Sequence, residues 1–197
     1  MLSDKNSNIY KKLYSEEKID EILSDSSFIK KILLFEKMLL KANYQLKNIS
    51  YEAYKNINKA IDSTDYETHE IQENLEYSGV ITLNILNRIK KKVKQNYIPY
   101  LHNGATSQDA IDTAIILQIK DSKSLLINSL KNISLKLFKL AEKNTNTLTV
   151  ARTRNKIATV TTFAFKVSNW LLPIVRNLER LKKVYDDNLY IQLGGPI

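Results

Sequence analysis

His102-Asn-Gly-Ala-Thr-Ser-Gln-Asp-Ala-Ile-Asp-Thr113 is the stretch that decides how this chain is read. A glycine, two adjacent hydroxyls and an amide stand where a loop turns into a long helix. Thr106 and Asp109 are three apart, the spacing of a capping box. The first N–H groups of a helix have no intrahelical partner and attract anions. Thr106 and Ser107 would add hydroxyl donors there. Gly104 leaves room for a ligand or another backbone to come close. The stretch therefore reads as a carboxylate or phosphate seat at a helix N-terminus. An ordinary capped helix start accounts for the same residues, and the local pattern leaves both readings open.

Downstream, the helical pattern runs unbroken from about Ser107 to about Lys143. Leu126, Leu130, Ile133, Leu137 and Leu140 alternate four and three apart, the seam of packed long helices. At 1.5 Å per residue this is a rod of about 55 Å, which suits a bundle of long helices. Asn144–Thr149 reads as a turn, and Val150–Val160 has no helical period. A helix from about Thr161 carries Phe163, Val167, Trp170, Leu171, Ile174, Leu178, Leu181 and Val184 as an apolar stripe, with Trp170 expected in the core. Gln192-Leu-Gly-Gly-Pro-Ile197 is a loop signal.

Upstream, residues 1–15 read as a loose arm anchored by Ile9, Leu13 and Tyr14. Helices are expected at Glu16–Leu23, at Phe28–Leu46 and, capped by Ser50, at Tyr51–Ile61. Another, capped within Thr64–Glu67, carries Ile71 and Leu75. The next spans Val80–Lys94, with Arg88, Lys91 and Lys92 on a solvated face. Pro99 is expected to stop helical structure. The pattern implies an all-α chain. Residues 1–103 form a small amino-terminal helical domain, and 104–197 begin a long-helix bundle domain.

Only 4 Gly and 3 Pro among 197 residues leave few turns, in keeping with long helices. There is no cysteine, hence no disulfide, thiolate nucleophile or cysteine zinc site. His69 and His102 show no metal-ligand spacing, so no metal is expected. The formal net charge of +9 raises nucleic acid as a partner. The lysines are scattered over all the helices without aromatic–basic alternation, which argues against it. A positive field would instead steer a multiply anionic small substrate. No apolar run is long enough to span a bilayer and no signal segment is seen, so a cytoplasmic protein is expected. In a chain with only five arginines, Arg152 and Arg154 flank Thr153. Arginine offers the planar fork that holds carboxylate in a bidentate way.

Three segments also fall into one known order. His102–Ala114 resembles the first signature of the fumarase/aspartase superfamily. Ala151-Arg-Thr-Arg-Asn-Lys-Ile-Ala-Thr-Val-Thr-Thr-Phe-Ala-Phe-Lys166 resembles the second, with Trp170 after it, and Gln192-Leu-Gly-Gly195 resembles the loop that follows. Within the superfamily, Gly-Ala-Thr-Ser-Gln-Asp is most similar to the 3-carboxy-cis,cis-muconate cycloisomerase branch, with adenylosuccinate lyase next. The lyase branch has a proton-transferring histidine where Arg154 stands, and a histidine-aspartate pair near the place of Ser78-Gly79.

The resemblance implies a small helical domain followed by the first long helices of a central bundle. It implies chemistry across a carbon–carbon bond next to a carboxylate, through an aci-carboxylate intermediate. In the cycloisomerase the substrate's own carboxylate adds, a lactone forms, and no cofactor is required. The implied substrate is a small polycarboxylate and the implied assembly a homotetramer. Thr106, Ser107, Gln108, Arg152, Thr153 and Gln192 would bind the substrate, with Arg154 at the family's acid position and His102 orienting the substrate. A guanidinium is a poor general acid but a good carboxylate clamp. Lys156, Val160, Ala164 and Pro196 depart from the family's pattern, which has Gln, Pro, Gly and a small residue there. The serine-bearing loop Ser-Ser-x-Met-Pro-x-Lys-x-Asn-Pro does not occur in these residues. The expectation is a truncated enzyme, inactive as this chain alone.

Overall fold

The computed structural model describes residues 11–72 and 75–195. Ile9 of the expected arm and Pro196 lie outside them, as does the side chain of His69. Two compact units result: Met1–Asp121 together with Tyr190–Ile197, and Ser122–Leu189.

The first unit holds α1 (Lys11–Tyr14), α2 (Glu17–Ile22), α3 (Asp25–Gln45), α4 (Tyr51–Ser63), α5 (Thr68–Gln72), α6 (Leu75–Ser78), α7 (Ile81–Lys90), a 3-10 turn (Gln95–Tyr100) and the start of α8 (Ser107–Lys143). Local chemistry sets the helix starts. The Glu16 carboxylate accepts from the Ile19 N–H, the Ser24 hydroxyl from Ser27 and the Ser50 hydroxyl from Ala53, each satisfying an orphan donor. Because Ser24 caps, α3 begins three residues before the expected Phe28. Thr64 does not cap a helix. It ends α4, and its hydroxyl donates to the Ala60 carbonyl.

The core gathers residues from four of these helices: Ile29 and Ile32 of α3, Ile57 and Ile61 of α4, Ile71 of α5, and Ile85 and Ile89 of α7. The first turns of α8 join it through Ala110 and Ala114, while Ile115 is exposed. Small side chains let that backbone lie close to the core. Three expectations are corrected. Leu13 and Tyr14 are exposed and anchor nothing. Arg88 is not on a simply solvated face: it donates to the Glu70 carboxylate at 2.6 Å, tying α7 to α5. Pro99 does not itself break the turn it stands in: the tighter 3-10 turn accepts it and ends one residue later, at Tyr100.

The second unit holds the remainder of α8, strands β1 (Leu148–Thr153) and β2 (Lys156–Thr162), and α9 (Phe163–Asp187). The strands pair antiparallel, with a register irregularity between Val150 and Arg152. This hairpin is the one departure from an all-helical chain among the described residues. Ile127 of α8 packs with Leu178 and Tyr185 of α9, and the Ser122 and Tyr185 hydroxyls meet at 2.8 Å in this buried cluster. The Thr162 hydroxyl caps α9 by accepting from the Phe165 N–H. Trp170 is not core. It is 47% exposed, set edge-on to Phe163, with the Lys166 ammonium 5.8 Å from its ring centre. Ile133, Leu135, Phe138 and Leu140 of α8 are exposed as well. No helix among the described residues is long and apolar enough to cross a membrane.

Candidate functional site

The start of α8 is built around Asp109, whose side chain is almost wholly buried. Its carboxylate accepts three backbone N–H groups: Gly194 at 2.8 Å, Thr106 at 2.9 Å and Gly195 at 3.0 Å. Burial raises its pKa, but these three donors and the nearby His102 outweigh it and hold the carboxyl below the usual carboxylate range. The Gly194–Gly195 loop is thereby fixed against the helix start. Gly195, at φ +79°, passes beside the Gly104 carbonyl, and Gly104 itself adopts φ +88°. L side chains rarely adopt either backbone conformation.

Only one limb of the expected capping box forms. Asp109 reaches back to the Thr106 N–H, while its own N–H goes to the Thr106 backbone carbonyl at 3.0 Å. The hydroxyls of Thr106 and Ser107 make no hydrogen bond among the described residues and stay half-buried at the helix end. Gln108 is exposed and its amide donates to Asp112 at 2.7 Å. Gln192 is held by its backbone. Its N–H donates to the Thr113 hydroxyl at 3.0 Å, and that hydroxyl donates to the Gln192 carbonyl at 3.3 Å. The Thr82 hydroxyl of α7 supports the Ser107 carbonyl at 3.3 Å. Thus Thr106, Ser107, Gln108 and the Gln192 segment are gathered around one helix start, with free donors on it.

His102 stands at the head of this loop in a left-handed conformation, φ 60°. Its Nδ1 lies 2.6 Å from the Glu36 carboxylate of α3, which is buried at 2% exposure. Asn43, two turns further along α3, donates to the Asn103 carbonyl at 3.1 Å. Sequence reasoning missed both partners. A signal was available: 29, 32, 36, 40 and 43 trace one helical face, and a carboxylate on an apolar stripe needs a partner.

Arg152, Thr153 and Arg154 belong to the second unit, at the hairpin tip, and all three are exposed. Thr153 pairs with Lys156, so Arg154 and Asn155 form a two-residue turn at φ 46° and 66°. Such a turn needs left-handed backbone at both positions and usually takes Asn-Gly. An arginine there is held at a cost of about 1–2 kcal/mol. Its side chain projects from the tip. Away from the tip, Arg152, Lys166, Thr149, Thr161 and Asn169 line an open groove of about 430 Å³ without a carboxylate, and Arg154 does not line it. No cluster of three metal-binding side chains occurs among the described residues.

Comparison with known proteins gives the same outline. The family described as Lyase matches residues 2–196. Adenylosuccinate lyase of Pyrococcus abyssi is 30% identical over 186 residues, covering 93% of this chain and 41% of that protein. The 3-carboxy-cis,cis-muconate cycloisomerase of Acinetobacter baylyi is 28% identical over 198 residues, covering 97% of this chain and 44% of that protein. The crystal structure of the 3-carboxy-cis,cis-muconate lactonizing enzyme from Pseudomonas putida superposes with a TM-score of 0.85 at 26% identity, over 96% of this chain and 44% of that one. The chain thus spans about two fifths of the length of the curated relatives it matches.

Proposed function

The chain belongs to the Lyase family, and on that premise we propose that it supplies carboxylate-binding segments of a cycloisomerase-like enzyme. The reaction is lactonisation, or the related β-elimination, next to a carboxylate through an aci-carboxylate intermediate. The observation that carries the proposal is the unspent donor set at the start of α8. Thr106 and Ser107 keep free hydroxyls there, and Asp109 and Thr113 tie the Gln192–Gly195 loop to the same turn. Donors aimed where an enolate-like charge develops are the largest lever on such a reaction.

In this reading Thr106, Ser107, Gln108 and Gln192 bind carboxylate of a small polycarboxylate substrate, and His102 orients it. Arg152, Thr153 and Arg154 bind carboxylate from the hairpin, with Arg154 at the family's acid position. As a guanidinium it clamps rather than gives up a proton. No cofactor is required. The exposed part of the Leu126–Leu140 seam, Leu126, Ile133 and Leu140, is where further copies pack in a homo-oligomer, in a cytoplasmic setting.

An adenylosuccinate lyase-like function is the second reading, favoured by the 30% identity to the Pyrococcus enzyme. Arg154 in place of a histidine weighs against it. A non-catalytic helical interaction module is the third, favoured by the exposed apolar faces of α8 and α9.

Thermal unfolding with tricarballylate, against acetate at matched ionic strength, tests the proposal. At one hundred times its dissociation constant a ligand adds about 2.7 kcal/mol, or roughly 5–10 °C for a chain of this size. Arg152→Lys should shrink the shift. No shift with the tricarboxylate would remove the reading.

A further inference from the structure

Helix α3 carries two buried polar side chains on its core face, Glu36 and Asn43, at 2% and 8% exposure. Both reach the loop that leads into α8. Glu36 meets His102 at 2.6 Å, and Asn43 donates to the Asn103 carbonyl at 3.1 Å. Asn43 is itself set by neighbours, since its amide also donates to the Leu39 carbonyl and its oxygen accepts from the Asn48 amide. A carboxylate can only accept, so the hydrogen between Glu36 and His102 sits on Nδ1.

Good packing alone does not explain this arrangement. Glu36 Oε2 and His102 Nε2 are both buried without a partner. A buried polar pair with unsatisfied atoms is a weak source of stability, and an apolar pair of similar volume would serve the core as well. The loop it grips is meanwhile in backbone conformations that need holding, with His102 at φ 60° and Gly104 at φ 88°.

We propose that Glu36 and Asn43 are positioning residues: from α3 they hold His102 and Asn103, and so keep the Gly104–Ser107 donors arranged for an anion. This rests on the carboxylate-binding reading of the α8 start. It assigns Glu36 and Asn43 no contact with substrate. They act through the loop.

The test uses the full chain with Glu36→Gln, which keeps the shape and an acceptor but loses the charge. Amide exchange in the free protein is read at Gly104–Gln108, against core amides of Ile57, Ile85 and Ile89. A charge-assisted bond exceeds a neutral one by roughly the equivalent of a fivefold to tenfold change. Loop exchange should rise by about that factor while the core amides stay unchanged. Unchanged loop exchange, or an equal rise everywhere, overturns the proposal. Asn43→Ser, too short to reach Asn103, provides a second variant if Glu36→Gln does not fold, with the same expectation at the loop. Titration with tricarballylate by calorimetry should show affinity falling with the loop's ordering. Wild type that does not bind tricarballylate counts against the carboxylate reading alone. The exchange data then decide the positioning role by themselves.

Discussion

Replacing Asp109 by asparagine exchanges one oxygen for an amide nitrogen and should unsettle the whole α8 start. The carboxylate takes N–H groups from Gly194, Thr106 and Gly195. Asparagine keeps one oxygen and turns the other acceptor into a donor. Whichever way the amide faces, it confronts at least one of those N–H groups. A hydrogen bond to a charged group contributes about 1.5–3 kcal/mol, and the lost ones are offset by no longer burying a charge. Water also reaches the Gly194 side of the loop, which is exposed. The net cost is about 2–3 kcal/mol, which corresponds to a fall of roughly 4–12 °C in melting temperature. Heating followed by circular dichroism at the helix band measures it. A variant melting within about 1 °C of wild type would refute the view that Asp109 fastens this turn.

The same carboxyl predicts a pH dependence. Its pKa is held below the ordinary value, so its contribution is complete above the unfolded value of about 3.9 and is lost as pH falls through the lower folded value. The stability gap between wild type and Asp109→Asn should stay level from pH 7 to about 5 and close below about pH 4; denaturant titrations across that range check it. Gly195→Ala should cost about 1–2 kcal/mol, because φ +79° strains any side chain, whereas Gly194→Ala should be nearly neutral, its new carbon meeting neighbours at an ordinary 3.6 Å. Chemical denaturation of the two variants side by side separates backbone strain from crowding. Wild type should self-associate in light scattering, and Ile133→Glu with Leu140→Glu should shift it to a single chain, since both are exposed apolar residues of the Leu126–Leu140 seam. Wild type running as a clean monomer would contradict the seam.

Much of the architecture was legible because it is written in short-range patterns. The bounds of α8, the Ser50 cap and the brace from Asp109 all follow from spacing and hydroxyl chemistry. The hairpin was not read, although Val150 and Ile157-Ala-Thr-Val-Thr-Thr162 are rich in β-branched residues. Its turn lacks the usual glycine, with Arg154 and Asn155 in left-handed backbone instead. Trp170 was misplaced because a helical stripe shows which face is apolar, not what covers it. Glu36 and Asn43 were missed for a related reason. Their partners lie at positions 102 and 103, some sixty residues away, where no local pattern points.

The bonds from Asp109 to Gly194 and Gly195 join positions 85 and 86 apart in sequence. Closing a loop of that length costs about 4 kcal/mol of chain entropy, so this clasp is a late event during folding. On a ribosome the isoleucine core could assemble while Asp109 still waits with its carboxylate in water. Only when the segment bearing the paired glycines has emerged is the bracket around the α8 start shut. A nascent chain stalled before residue 194 would thus hold its isoleucine core folded while the α8 start stayed unlatched.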